Sequence, residues 1–118
     1  MPSRILIVDD HPSFRATAKA LLVADGFEVV GEAADGRSAL EAVDRLEPDL
    51  VLLDVQLPDM DGFAVATQLC RRNGAPPKIV LTSSHDASDF GPIVGRCGAA
   101  AFVPKAELTG AALRAVLR

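Results

Sequence analysis

The chain has 118 residues, 49% of them hydrophobic, with a formal net charge of −4. That is enough for one globular domain and too little for two. The acidic balance argues against nucleic-acid binding by this segment, because phosphate backbones recruit basic surfaces. No apolar stretch approaches the roughly 20 residues needed to span a bilayer. The chain opens on a strand-like run rather than a signal-peptide pattern. Cys70 and Cys97 have no metal-ligand spacing, so the expectation is a cytoplasmic protein with buried, reduced thiols.

Strand-like and helix-like segments alternate along the chain. "RILIVDD" (4–10) is an apolar run ending in two carboxylates, Asp9 and Asp10. Residues 12–25 place Phe14, Ala18, Leu21 and Leu22 on one helical face, and Gly26 stops the helix. "EVVGEA" (28–33) is the second strand. "GRSALEAVDRL" (36–46) sets Leu40, Val43 and Leu46 at helical spacing before Pro48. "DLVLLDV" (49–55) is continuously apolar up to Asp54, as expected of a strand covered on both faces.

"GFAVATQLCRRNG" (62–74) is the third helix, with Phe63, Ala66, Leu69 and Cys70 inward. Gly62 is expected to permit the turn into it. Asp59 and Asp61 read as loop residues. Pro76-Pro77 leads into the fourth strand, "KIVLTS" (78–83). The stretch "ASDFGPIVGRCG" (87–98) carries Gly91, Pro92, Gly95 and Gly98, which predicts a short, weakly held helix after a mobile loop. "AAFVPK" (100–105) is the fifth strand. A last helix near Thr109 to Leu117 takes Thr109 as its N-cap.

Strands alternating with helices imply a parallel sheet covered on both faces, with right-handed crossovers. In such a sheet all strand C-termini share one edge, where ligands bind. Asp9, Asp10, Asp54, the Thr82-Ser83 hydroxyls and Lys105 all fall at strand C-termini, so they should converge. Three carboxylates suit a hard cation with oxygen ligands, Mg²⁺ above all. That cation would offset the repulsion between Asp9 and Asp10. A Lys ammonium and a hydroxyl beside it suit a tetrahedral oxyanion. A carboxylate beside both could attack phosphorus and form an aspartyl phosphate.

"ILIVDDHPSFR", "DLVLLDVQLPDMDG", "IVLTSS" and "AAFVPK" together resemble the receiver domain of bacterial two-component response regulators, over essentially the whole chain. The resemblance implies an α/β, flavodoxin-like (βα)5 three-layer sandwich with a five-stranded parallel sheet of order 2-1-3-4-5. It implies a single receiver domain over 1–118, with no output domain in this chain. Asp54 resembles the phosphoacceptor and Asp10 the main metal ligand. Asp9 resembles the second acid, acting through water, and the backbone carbonyl of Gln56 a further ligand. The metal implied is Mg²⁺ or another divalent cation such as Mn²⁺. Lys105 resembles the lysine that pairs with phosphoryl oxygens.

For the switch hydroxyl, Ser83 and Thr82 are adjacent. Strand alternation lets only one of them face the site. The 22-residue separation of Ser83 from Lys105 matches the family's usual spacing and favours Ser83 over Thr82. Phe102 occupies the family's switch-aromatic position, without a hydroxyl. Ala106 stands where many receivers have Pro, so a cis peptide after Lys105 is not assumed. His11 reads as loop scaffold beside the site, and His85 as a residue near its rim.

The expected function is a phosphorylation-dependent switch rather than a turnover enzyme. A sensor histidine kinase or phosphotransfer protein would supply the phosphoryl group. The output partner is unnamed, a homodimer is open, and neither nucleic acid nor membrane is expected to be bound directly. One alternative is a receiver-fold interaction module that works without phosphorylation. Another, a phosphatase resembling the haloacid dehalogenase family, wants Asp-x-Asp, whereas this chain has Asp54-Val55-Gln56. "EVVGEAADGRSALEAV" further resembles receivers joined to helix-turn-helix domains.

Overall fold

A computed structural model of the chain describes residues 3–71, 76–84 and 96–117. Its elements in order are β1 (Arg4–Val8), α1 (Pro12–Ala24), β2 (Glu28–Ala33), α2 (Gly36–Leu46), β3 (Leu50–Asp54), α3 (Gly62–Cys70), β4 (Lys78–Ser83), β5 (Ala101–Pro104) and the C-terminal helix α4 (Gly110–Leu117). The five strands form one sheet of order β2-β1-β3-β4-β5, and every pairing is parallel. This is the flavodoxin-like topology expected from the sequence. The weak helix expected within 87–98 and the rim position of His85 lie largely outside the described residues.

Local chemistry sets the helix ends. α1 begins with Pro12 in its first turn, where a missing N–H costs nothing. It ends near Gly26, whose φ of +92° is a left-handed conformation that suits glycine. The Asp35 carboxylate caps α2 by accepting from the Ser38 N–H at 2.8 Å. The Asp61 carboxylate does the same for α3 through the Ala64 N–H at 2.8 Å. Thr109 caps α4 as expected, its Oγ1 accepting from the Ala112 N–H at 3.1 Å. α3 is shorter than the 62–74 expected, ending at Cys70 with Arg71 as its C-cap.

Strand alternation divides the core in two. Ile5, Ile7, Leu50, Leu52 and Val80 face one side, against Ala18 and Leu22 of α1 and Leu113 of α4. Leu6, Val8, Val51, Leu53, Ile79 and Leu81 face the other, against Ala39 and Val43 of α2 and Val65, Ala66 and Leu69 of α3. β3 is buried along its whole length, which explains its unbroken apolar run. Both cysteines are free thiols, Cys97 buried and Cys70 only half-buried. No helix among the described residues is long and apolar enough to cross a membrane.

Candidate functional site

The parallel register carries the polar residues to one edge. Val8 pairs with Leu53 and Asp54 with Thr82, so Asp9, Asp54 and Thr82 form adjacent rungs at the strand ends. Asp9 is anchored further by its N–H, which donates to the Ala33 carbonyl of β2 at 3.0 Å. Asp9 and Asp54 are buried, and Asp10 is exposed beside them. Lys105 follows β5 in a short 3-10 turn, and its side chain reaches back across the edge. Its Nζ lies 2.7 Å from Oδ2 of Asp9 and 3.4 Å from Oδ2 of Asp54. The Asp9 contact is an ion pair without the alignment of a hydrogen bond. The predicted convergence of Asp9, Asp10, Asp54 and Lys105 is present.

Burial raises the Asp54 carboxyl above its ordinary value, and the Asp9 charge adds to the shift. The Gln56 N–H, donating to Asp54 Oδ1 at 3.2 Å, works in the other direction, as does the Lys105 ammonium. Burial by itself pulls the Lys105 pKa down. The close contact with Asp9 and the charges of Asp54 and Asp9 outweigh it, so Lys105 ends above the usual lysine range and stays cationic.

Register also separates the two hydroxyls. Thr82 lies opposite Asp54 and on the same face of the sheet. Ser83 pairs with Pro104 and, as the next residue of β4, falls on the alternate face by strand alternation. The Thr82 hydroxyl is fully buried and has no hydrogen-bond partner. Phe102, opposite Leu81, is half-buried against the core on the Ser83 side.

Several residues that shape the site carry no obvious motif. The ring of Phe14 lies 4.5 Å from the Lys105 ammonium. The Arg15 guanidinium donates to the Asp9 carbonyl and, at 3.1 Å, to Glu32 of β2. The signal for both is positional: a helix starting right after Asp10 folds its first turn back over the strand end.

Asp59 is more than a loop residue. Its carboxylate accepts from the Gly36 and Arg37 N–H groups at 2.7 and 3.0 Å, tying the β3–α3 loop to the start of α2. Those two donors hold the Asp59 carboxyl below the usual range. Gly62 is needed for a different reason from the one expected. Its φ is not positive; a Cβ there would lie 2.3 Å from the Asp54 carbonyl oxygen and 2.9 Å from Val55 Cα.

Asp9, Asp10, Asp54 and His11 each offer one ligand atom, all within 4.8 Å of one another. The His11 Nδ1 is 3.0 Å from an oxygen of both Asp9 and Asp10. Three carboxylates against one ammonium leave the site with excess negative charge, and oxygen donors dominate it. The set fits a hard divalent cation.

Fold and site define a flavodoxin-like α/β protein with an acidic, lysine-containing site at its sheet edge. The sequence model of the response regulator receiver domain matches residues 5–118, and the chain belongs to that family of signalling proteins. The NarL protein of Mycobacterium tuberculosis H37Rv is 38% identical over 115 residues, covering 97% of this chain and 53% of that protein. The positive alginate biosynthesis regulatory protein of Pseudomonas aeruginosa is 43% identical over 84 residues, 70% of this chain and 34% of its own length. The chain thus spans about half, or less, of these relatives.

Among solved structures, the NarL signal receiver domain of M. tuberculosis superposes with a TM-score of 0.85 at 36% identity, covering 98% of this chain and 96% of that one. A LuxR-family regulator from Aurantimonas gives 0.86 at 31% identity, over 99% and 86%.

Proposed function

We propose that the chain is a phosphorylation-dependent switch, with Asp54 accepting a phosphoryl group from the phosphohistidine of a sensor histidine kinase or phosphotransfer protein. The observation that carries this reading is the Lys105 ammonium, held 3.4 Å from the buried Asp54 carboxylate beside two further acids. An Asp54 oxygen attacks phosphorus, the P–N bond breaks, and its electron pair leaves with the donor imidazole. The Gln56 N–H and the Lys105 ammonium favour the ionised, nucleophilic form of Asp54 and oppose the upward pull of burial.

Mg²⁺, or Mn²⁺, bound by Asp10, Asp54 and the Gln56 carbonyl, with Asp9 through water, would neutralise charge on the phosphoryl oxygens. Lys105 then turns from Asp54 to a phosphoryl oxygen. Thr82, rather than Ser83, supplies the switch hydroxyl, because its buried Oγ1 shares the face of Asp54 and gains a partner when an oxyanion arrives. Drawing the end of β4 toward Asp54 disturbs the packing of β5 and Phe102, and so the surface offered to a partner. In this reading the protein works in the cytoplasm, and its output is a regulator domain or partner of the kind found in its longer relatives.

The test is intact mass after incubation with Mg²⁺ and a small-molecule phosphodonor, with Asp54→Asn as control. One phosphoryl adduct on the wild type alone, lost on chelation, supports the reading. No adduct despite demonstrated Mg²⁺ binding favours an interaction module that works unphosphorylated.

A further inference from the structure

Lys105 brings its charge on a flexible four-carbon stem with three rotatable donors. Two of its neighbours are carboxylates. The third is the face of Phe14, 4.5 Å away at the ring centroid. A ring face attracts a cation but offers no lone pair, so it fixes the ammonium without competing for its hydrogen bonds. The Lys105 side chain is 17% exposed, a partly desolvated setting in which such contacts are strongest.

The ring is itself well held. Phe14 lies in the first turn of α1, partly buried against the core that includes Ile7 and Leu52. The next residue, Arg15, fastens that turn to the Asp9 carbonyl and to Glu32. Ring and acid therefore belong to one rigid unit at the β1–α1 junction, while Lys105 comes from the far side of the sheet.

We propose that Phe14 is a positioning residue for Lys105: its ring face holds the ammonium between Asp9 and Asp54, aimed at the place the phosphoryl oxygens will occupy. This rests on the reading of Lys105 as the phosphoryl-pairing group. The ring lowers the ordering cost of the lysine stem before the phosphoryl group arrives, so its effect falls on the rate of transfer. An aliphatic side chain of similar bulk would fill the space but would not hold the charge.

The experiment uses the full chain with Phe14→Leu, Phe14→Tyr, and Phe14 replaced by pentafluorophenylalanine, which keeps the shape and inverts the charge on the ring face. Two quantities are read: the NMR ring-current shift of the Lys105 ε-methylene, and the rate of phosphoryl uptake from a small-molecule donor with Mg²⁺. The expected result is an upfield methylene shift in the wild type and Phe14→Tyr, absent in Phe14→Leu. Uptake should slow about five-fold in the Leu and pentafluoro variants and be retained in Tyr.

Wild-type uptake in the pentafluoro variant, which has no reason to misfold, overturns the proposal, as does a wild type without the ring-current shift. A wild type that shows the shift but takes no phosphoryl group sinks the role given to Lys105 and leaves the Phe14 contact standing.

Discussion

At the scale of single residues, the site trades stability for reactivity. Asp54 is buried and its carboxyl is raised above the ordinary 3.8. A raised carboxyl contributes stability that is fully present below the unfolded value and is lost as pH rises through the folded one. As pH rises above the unfolded value, Asp54 therefore weighs increasingly against the fold. Asp54→Asn should raise the unfolding midpoint at about pH 7.5, and the gap should close toward about pH 4, as thermal melts across that range will read. Lys105 does not confuse the result, since its raised value keeps it charged throughout and its 2.7 Å contact with Asp9 survives the substitution.

The Thr82 hydroxyl is a second local cost, being buried and without a partner. Thr82→Val keeps the shape and removes that hydroxyl, so it should stabilise the unphosphorylated protein by about 1 kcal/mol in urea unfolding. The same substitution should blunt the response to phosphorylation, read as the change in β4 and β5 amide shifts, while Ser83→Ala leaves that response intact.

Among the elements, the β3–α3 loop is clamped at both ends. Gly62 brings the start of α3 against the Asp54 carbonyl, and its N–H donates to the Val55 carbonyl at 2.6 Å. The other fastening is Asp59 on the first turn of α2. Because the Cβ of Gly62→Ala would strike backbone rather than a movable side chain, the substitution should cost about 1–3 kcal/mol. It should also slow phosphoryl uptake by displacing the Gln56 N–H from Asp54. Urea unfolding and the uptake rate check the two parts separately. The Asp59 clamp has its own pH sense: a lowered carboxyl contributes stability present above the unfolded value, near 3.8, and lost as pH falls through the folded one.

For the molecule as a whole, three carboxylates at one edge of a well-packed sheet should make folding respond to divalent cations. A divalent ion that binds the native acid cluster and not the unfolded chain stabilises by mass action, about 2.7 kcal/mol at a hundredfold excess over Kd. Mg²⁺ should raise the thermal midpoint of the wild type, chelation should reverse the rise, and Asp10→Asn should remove most of it. A midpoint that Mg²⁺ leaves unmoved would count against cation binding at Asp9, Asp10 and Asp54.

Element order, the two-sided burial of β3 and the gathering of Asp9, Asp10, Asp54 and Lys105 were all legible in the sequence. Hydrophobic period fixes strand against helix, and a parallel sheet puts every strand C-terminus on one edge. Three features depended on tertiary structure. Thr82 lies beside Asp54 because β4 pairs with β3 in this register. Asp59 caps α2 from 22 or 23 residues away. Phe14 meets Lys105 because the first turn of α1 and the end of β5 converge over the same edge. Periodicity assigns a residue to a face, but it carries no information on how far one element slides along another. That offset is set by the packing of the whole sheet and its helices.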